Sequence, residues 1–264
     1  MSRNADHQIS MVGVFTLKVQ VSSMGNLLGE VRILYEQGPC LLINKPGGLL
    51  TQAPPHIDSV EMRLKKFIRI RDKKPGRVYL AVPHRLDRPV SGVMVFALHQ
   101  RAAKRISNQF EQRLVGKEYW ACVEGSVKGD EGTFIDFMRK VPGEARSEIC
   151  DASMEKAKQA ILHYRVLKRT RYKTWLSIQL ETGRTHQIRL QCGSRGYPII
   201  GDKLYGSTLK FGEHHEDERR RCIALHSRRL KIRHPMLDQY LDMTAQLPET
   251  WAAAKLLVDD ESQG

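Results

Sequence analysis

Runs and alternations of apolar residues predict strands at 31–35, 40–44, 78–82, 93–97, 118–124, 162–167, 174–180 and 223–233. Helical spacing predicts helices at 58–71 and 99–113, the second carrying Ala102, Ala103, Ile106 and Phe110, with Leu114 just beyond, on one stripe. A third helix is expected at 186–194, its start presenting His186, Gln187 and Arg189 to a cleft, where a helix start favours an anion. Many strands with few helices between them argue an α+β fold with a largely antiparallel sheet. No Pro/Gly/Ser-rich linker and no internal repeat interrupts the pattern, and the length suits one large domain or two small ones.

Two polar segments break the apolar pattern. The first, His84-Arg85-Leu86-Asp87-Arg88-Pro89-Val90-Ser91-Gly92, sits between Leu80-Ala81-Val82 and Val93-Met94-Val95-Phe96-Ala97. A short polar element between two buried strands holds a side chain at the edge of a core. Arg85 and Arg88 flank Asp87 and favour its ionised form. Such a carboxylate serves as a nucleophile, a general base or half of a structural ion pair. The second segment, Glu181-Thr182-Gly183-Arg184-Thr185-His186-Gln187-Ile188-Arg189, follows the strand-like run Trp175–Leu180, which Thr-Gly ends. Arg184, His186, Gln187 and Arg189 are expensive to bury without a partner, so the segment reads as a site for an anion or polar ligand, or as a helix start at the surface.

Together these two segments resemble the RluA-like pseudouridine synthases, which isomerise uridine to pseudouridine within RNA. Four further stretches fall in the same order as in that family: Asn44-Lys45-Pro46-Gly47-Gly48; Lys117-Glu118-Tyr119-Trp120-Ala121; Gly196-Tyr197-Pro198-Ile199-Ile200-Gly201-Asp202 leading to Tyr205-Gly206; and Ala224-Leu225-His226-Ser227 before His234-Pro235. The resemblance spans residues 31 to 250 and implies a mixed, mainly antiparallel central sheet with flanking helices and an RNA-binding cleft. It implies that Asp87 is the catalytic carboxylate and that Arg85 enters the RNA stack beside the flipped base. Tyr119 then packs on that base, Arg189 pairs with Asp87, and Ile188 lines the pocket. Arg88, Arg184, His186 and Gln187 are further candidates for RNA contact. The domain expected is 31–252, with an extension at 1–30 that leaves no room for a separate small RNA-binding domain, and a tail at 253–264. One position departs from the family: Val90 stands where a threonine is usual, which removes a hydroxyl from the loop or from an RNA contact. The reaction changes no oxidation state, so neither a cofactor nor a metal is expected. The resemblance also suggests a monomer.

Charge fits a polyanionic partner. Lys plus Arg is 43 against 29 Asp plus Glu, a net charge of +14. The excess gathers at 63–77, 165–173 and 219–233, the last two without an acid, and such clusters bind phosphates in a salt-dependent way. The bland alternative is a solvated basic face. A membrane role is disfavoured, because Pro75-Gly76 interrupts the first cluster and Met11-Val12-Gly13-Val14-Phe15 is too short for a span or a signal peptide. The five cysteines form no C-x-x-C pair, and their odd number fits a reducing, cytoplasmic setting. His214-His215 lacks a further ligand at metal spacing. Lys45-Pro46-Gly47-Gly48 is a tight turn and not a phosphate loop, since the Gly-Lys-Ser/Thr ending is missing. His84 is expected to hydrogen-bond its own loop. Two other readings stay open: an RNA-binding protein of the same fold without activity, and a glycosidic hydrolase. The hydrolase needs a second carboxylate, for which Glu118 and Glu181 are the candidates. The RNA expected is ribosomal or transfer RNA.

Overall fold

Cys40-Leu41-Leu42-Ile43 and Val93-Met94-Val95-Phe96-Ala97 contain no polar side chain, and the strands they form are covered on both faces. The computed structural model describes residues 28–213 and 215–257. The apolar run at 11–15, most of the expected extension, His214 and the tail beyond 257 lie outside the described residues.

Ten strands form one sheet: β1 (Arg32–Gln37), β2 (Cys40–Lys45), β3 (Ser91–Ala97), β4 (Gly116–Glu124), β5 (Glu131–Lys140), β6 (Ser147–Cys150), β7 (Lys158–Arg169), β8 (Lys173–Leu180), β9 (Leu225–Arg233) and β10 (Tyr240–Thr244). Their order is β1-β2-β3-β9-β4-β8-β7-β5-β6, with β10 added to β9. The sheet is mixed and mainly antiparallel; only the short β3–β9 seam, Ser91 opposite His226 and Gly92 opposite Ser227, is parallel. Gly92 is required there. Its φ is +122°, and a Cβ would lie 2.3 Å from the Ser227 carbonyl oxygen. The seam brings the end of the Asp87 loop against the strand next to Tyr119.

Helix α1 (Val60–Arg71) buries Val60, Leu64, Phe67 and Ile68 on one face of the sheet, and the Ser59 hydroxyl caps its start by accepting from the Met62 N–H. Helix α2 (Gln100–Glu111) buries Ala102 and Ile106 against Val93, Val95 and Leu42 on the other face. Alternation along β2 and β3 feeds both cores. Two shorter helices, α3 (Gln187–Gly193) and α4 (Glu249–Ala253), follow later in the chain.

One expected strand is absent. Residues 78–82 make a single bridge, Ala81 with Ala97, and Pro83 then removes the next backbone donor and turns the chain into the polar loop. Strands β5, β6 and β10 and helix α4 had no clear sequence signal. β5 is half exposed along most of its length, and β6 has only four residues at the sheet edge, so neither buries enough apolar surface to show alternation.

Candidate active site

The loop carrying Asp87 is fixed on every side. The Thr51 hydroxyl donates to the Leu86 carbonyl at 2.8 Å and accepts from the Leu86 N–H at 3.3 Å. The ammonium of Lys45, fully buried, donates to the carbonyls of Pro46, Leu49 and Arg88 at 2.8, 2.7 and 3.2 Å. His84 accepts from the Val95 N–H of β3 through Nε2 at 3.0 Å and stacks on Phe110 of α2, so it ties the loop to the neighbouring strand and helix and not, as the sequence suggested, to itself. Burial drives its pKa down to about 3, which keeps it neutral. The Val90 N–H closes a turn onto the Asp87 carbonyl, and the Val90 side chain lies in the core. The exchange of threonine for valine at that position therefore replaces a buried group and does not reach the surface.

Asp87 finds its partners a hundred residues away. Arg189 Nη1 lies 3.3 Å and His186 Nε2 3.5 Å from Oδ2, while Oδ1 has no partner among the described residues. The flanking arginines do not hold Asp87, contrary to the sequence expectation. Arg85 is exposed, and Arg88 lines a separate cavity beside Gly47 and Arg220, where its Nε is buried without a hydrogen bond. A strand-turn places alternate side chains on different sides, so neighbours in sequence are not neighbours of the carboxylate.

Behind Arg189 stands Asp202, which sequence reasoning quoted in a family stretch but gave no role. Its two oxygens accept from Arg189 Nε and Nη2 at 2.6 and 2.8 Å, and both side chains are almost fully buried. Despite its burial, Arg189 has its pKa raised by the hydrogen bonds and charge of Asp202 and by Asp87. Its guanidinium also packs over the Tyr205 ring.

Helix α3 supplies this group, but its start differs from the expected one. His186 adopts a left-handed conformation, φ 57° and ψ 23°, uncommon outside glycine. Gln187 turns inward. Its Oε1 accepts from the Thr182 hydroxyl and the Arg184 N–H at 2.8 and 3.0 Å, and its Nε2 donates to the Ile161 carbonyl at 3.0 Å. It therefore braces the loop and faces no ligand. Arg184 is half-buried with Nε bonded to the Gln159 carbonyl, and Ile188 is buried in the core.

Tyr119 lies on β4 at a bulge opposite Ser227. Burial, together with the charge of Asp87, pushes its pKa up to about 12, so it is a neutral phenol at physiological pH. The site thus holds a carboxylate with one oxygen unpartnered among the described residues, a cation and an imidazole beside the other oxygen, and a phenol ring close enough to feel the carboxylate's charge.

The expected second carboxylates are engaged elsewhere. Glu118 accepts from Trp120 Nε1 and the Ser177 hydroxyl, and Glu181 pairs with Arg113 at the surface. The basic clusters are also less open than the sequence suggests. Arg63, Lys65 and Arg71 pair with Asp58, Glu61 and Glu36, and Arg229 and Arg233 with Asp242 and Asp238. Lys66, Arg69, Lys73 and Arg77 pair with no acid among the described residues. No helix among those residues is long and apolar enough to cross a membrane.

Comparisons with known proteins identify the family. Residues 39–194 match the family described as RNA pseudouridylate synthase. Ribosomal large subunit pseudouridine synthase D of Xylella fastidiosa is 34% identical over 82% of the chain and 66% of its own length. tRNA pseudouridine synthase C of Salmonella typhimurium is 34% identical over 85% of the chain and 88% of its own length. Human RNA pseudouridylate synthase domain containing 4 shares the fold, with a TM-score of 0.69 at 23% identity over 85% of the chain and 92% of that structure.

Proposed function

The chain belongs to the RluA-like family of RNA pseudouridine synthases, and from that premise we propose that Asp87 is its catalytic carboxylate and that its substrate is a uridine in ribosomal or transfer RNA. The observation that carries the assignment is the one-sided approach to Asp87: Arg189 bonds Oδ2 at 3.3 Å, His186 Nε2 stands 3.5 Å from the same oxygen, and Oδ1 is left for the reacting sugar. Nucleophilic or basic action calls for a carboxylate with an oxygen open to the substrate, and Arg189 sets its positive charge against the other oxygen.

The reaction breaks the N1–C1′ bond, turns the uracil, joins C5 to C1′, and moves a hydrogen from C5 to solvent while N1 gains one. Asp87 serves it either by adding to C1′ or by taking a proton from C2′ as the uracil leaves; both use an unprotonated Oδ1. Tyr119 is held neutral, so it acts as a platform for the flipped base and not as a phenolate base. Arg85, the exposed arginine of the loop, fills the space the base vacates and offsets part of the few kcal/mol that unstacking costs. Ile188 closes the apolar side of the pocket.

A glycosidic hydrolase fits less well. It needs a second carboxylate free to work as acid or base. Asp202 is the carboxylate nearest to the pair, and both its oxygens are occupied by Arg189.

Mapping pseudouridine across total RNA from cells with and without the gene tests the reading. A site that disappears on deletion and returns with the wild-type protein but not with Asp87→Asn is the expected result. An unchanged map, or rescue by Asp87→Asn, overturns it.

A further inference from the structure

His186 hydrogen-bonds Tyr205 through Nδ1 at 2.8 Å and turns Nε2 toward Asp87, 3.5 Å from Oδ2 and beyond ordinary hydrogen-bond length, and the protons along this line can be placed. The Ser147 backbone N–H can only donate, and it donates to the Tyr205 hydroxyl oxygen at 3.0 Å. The Tyr205 proton then has two acceptors in reach, His186 Nδ1 at 2.8 Å and the Ser147 carbonyl at 3.5 Å. The shorter contact takes it. A ring nitrogen that accepts carries no proton, so the proton of a neutral His186 sits on Nε2, the nitrogen facing Asp87 Oδ2 at 3.5 Å. The other tautomer would set a bare nitrogen lone pair against a carboxylate oxygen, which is repulsive.

The surroundings are built to hold this line. The Ser147 hydroxyl donates to the Thr185 carbonyl at 2.9 Å, tying β6 to the residue before His186. Helix α3 approaches Tyr205 so closely that a Cβ on Gly193 would lie 2.6 Å from the Tyr205 carbonyl oxygen. The His186 ring meets the Tyr205 ring edge-on. His186 accepts a left-handed backbone to reach both partners, and strain of this kind persists where the surroundings impose it.

We propose that Ser147, Tyr205 and His186 form a relay that fixes His186 as a neutral imidazole with its Nε2–H aimed at Asp87, making His186 and Tyr205 positioning residues for the catalytic carboxylate. This rests on the assignment of Asp87 made above. The charged and titratable groups around the imidazole are Asp87, Asp202, Arg189, Arg85 and Tyr205. Burial and the two arginines disfavour its protonation, and the two aspartates oppose them with the smaller effect. Neutrality matters to the chemistry. A second full cation on Oδ2 would draw charge from the carboxylate and make Oδ1 a poorer base and nucleophile, whereas a neutral donor orients it without that loss. The relay also gives the β5–β6 hairpin, at the far edge of the sheet, a place in the active site.

The test uses [5-³H]uridine-labelled total RNA from cells lacking the gene, and reads tritium release in single turnover with excess full-length protein between pH 5 and 8. Tyr205→Phe is expected to lower the saturating rate by at least about tenfold, with half-saturating protein concentration unchanged within about twofold. Its acid limb should move to higher pH, because an imidazole that loses the O–H donor on Nδ1 protonates more readily. His186→Gln, which can offer an amide N–H near the Nε2 position, should retain more activity than His186→Ala. A Tyr205→Phe protein with the wild-type rate and acid limb, or one impaired only in RNA binding, overturns the relay. So does equal loss in His186→Gln and His186→Ala, and that pair decides the matter should Tyr205→Phe fail to fold. Asp87→Asn is the control: release by that variant, or none by the wild type, overturns the functional reading itself and not merely the relay.

Discussion

Asp202 grips Arg189 through both carboxylate oxygens, at 2.6 and 2.8 Å, and leaves one guanidinium nitrogen, Nη1, to meet Asp87 at 3.3 Å. The arginine is thereby aimed. A bidentate carboxylate fixes the plane of the guanidinium, so the third nitrogen points in one direction only. The difference in length shows which bond is the anchor. Asp202 is the fixed end, and Asp87 keeps the looser contact that the role proposed for it calls for.

Asp202→Asn should therefore damage activity without touching the substrate. The amide can still accept once, but the plane of Arg189 is no longer fixed and its charge is left to Asp87 alone. The saturating single-turnover rate is expected to fall by at least about tenfold, ~1.4 kcal/mol in the barrier. Stability should fall as well, toward the roughly 3–5 kcal/mol found when one member of a buried ion pair is removed. Urea unfolding and tritium release measure the two effects. A variant with the wild-type rate would show that Arg189 needs no second carboxylate.

Lys45 offers a test of how the loop is held. All three of its ammonium protons go to backbone carbonyls, one of them the Arg88 carbonyl next to Asp87. Burial pulls its pKa down to about 7, against weaker opposing pulls from Cys222 and Asp87. The unfolded chain keeps that proton to about 10.4. Folding thus releases a proton between these values, and the lysine's contribution to stability rises as pH goes from 7 toward 10 and is flat below 7. Lys45→Met should lose at least about 1–3 kcal/mol at pH 7, because the carbonyls lose their donor. It should also lack this part of the alkaline rise. Parallel stability–pH curves for the two proteins would contradict the account.

Much of this was legible in the sequence, for reasons that particular residues make plain. The fully apolar runs at 40–44 and 93–97 and the alternation at 174–180 report burial directly, so β2, β3 and β8 fall where expected. Asp87 and Arg189 stand out in the sequence as polar groups beside apolar runs, their pairing is what the family resemblance implies, and the 3.3 Å contact agrees with it. The partner of Arg189 was not legible. Asp202 follows a glycine in a loop, and nothing local separates a buried acid from a solvated one. Gln187 misled in the opposite sense. Its polarity suggested a ligand, yet its partners are Thr182, the Arg184 N–H and a carbonyl on β7 that no local pattern discloses. The basic clusters misled in the same way, since the acids that neutralise them, Asp58, Glu36 and Asp242, lie outside the stretches counted.

Two histidines, His226 buried and His84 half-buried, set an acid limit on the fold. His226 accepts from Ser91 through Nδ1 at 2.8 Å and donates to the Ala245 carbonyl through Nε2 at 3.2 Å, across the β3–β9 seam. Burial lowers its pKa to about 4 and that of His84 to about 3. In the unfolded chain both protonate near 6.5. Their stabilisation is therefore complete above about 6.5 and is lost as pH falls through that value toward 4, amounting to about 2 kcal/mol for each at pH 5. Denaturant unfolding at pH 7 and pH 5 should show the loss. The imidazole proton resonances of both residues should stay unmoved down to pH 5 in the folded protein; titration of either near 6.5 would refute the assignment.

Arg85 separates base flipping from phosphate binding. It is the exposed member of the loop and has no acid partner among the described residues, so its side chain is free to leave the surface and enter RNA. If it fills the gap left by the uracil, its value depends on there being a stack to disrupt. Arg85→Ala should then slow isomerisation strongly when the target uridine lies in a stacked, folded RNA, and only weakly when the same uridine lies in an unstructured oligomer. A residue that merely neutralises a phosphate behaves otherwise: its loss weakens both RNAs alike and reduces the salt dependence of binding by about one counterion. Single-turnover rates on the two RNAs, with binding measured at two salt concentrations, distinguish the roles. Equal slowing on both, with a shallower salt slope, would assign Arg85 to the backbone and leave the vacated space to another group. A larger effect on the folded RNA with an unchanged slope would place it in the stack, where the unstacking cost of a few kcal/mol makes a single guanidinium decisive.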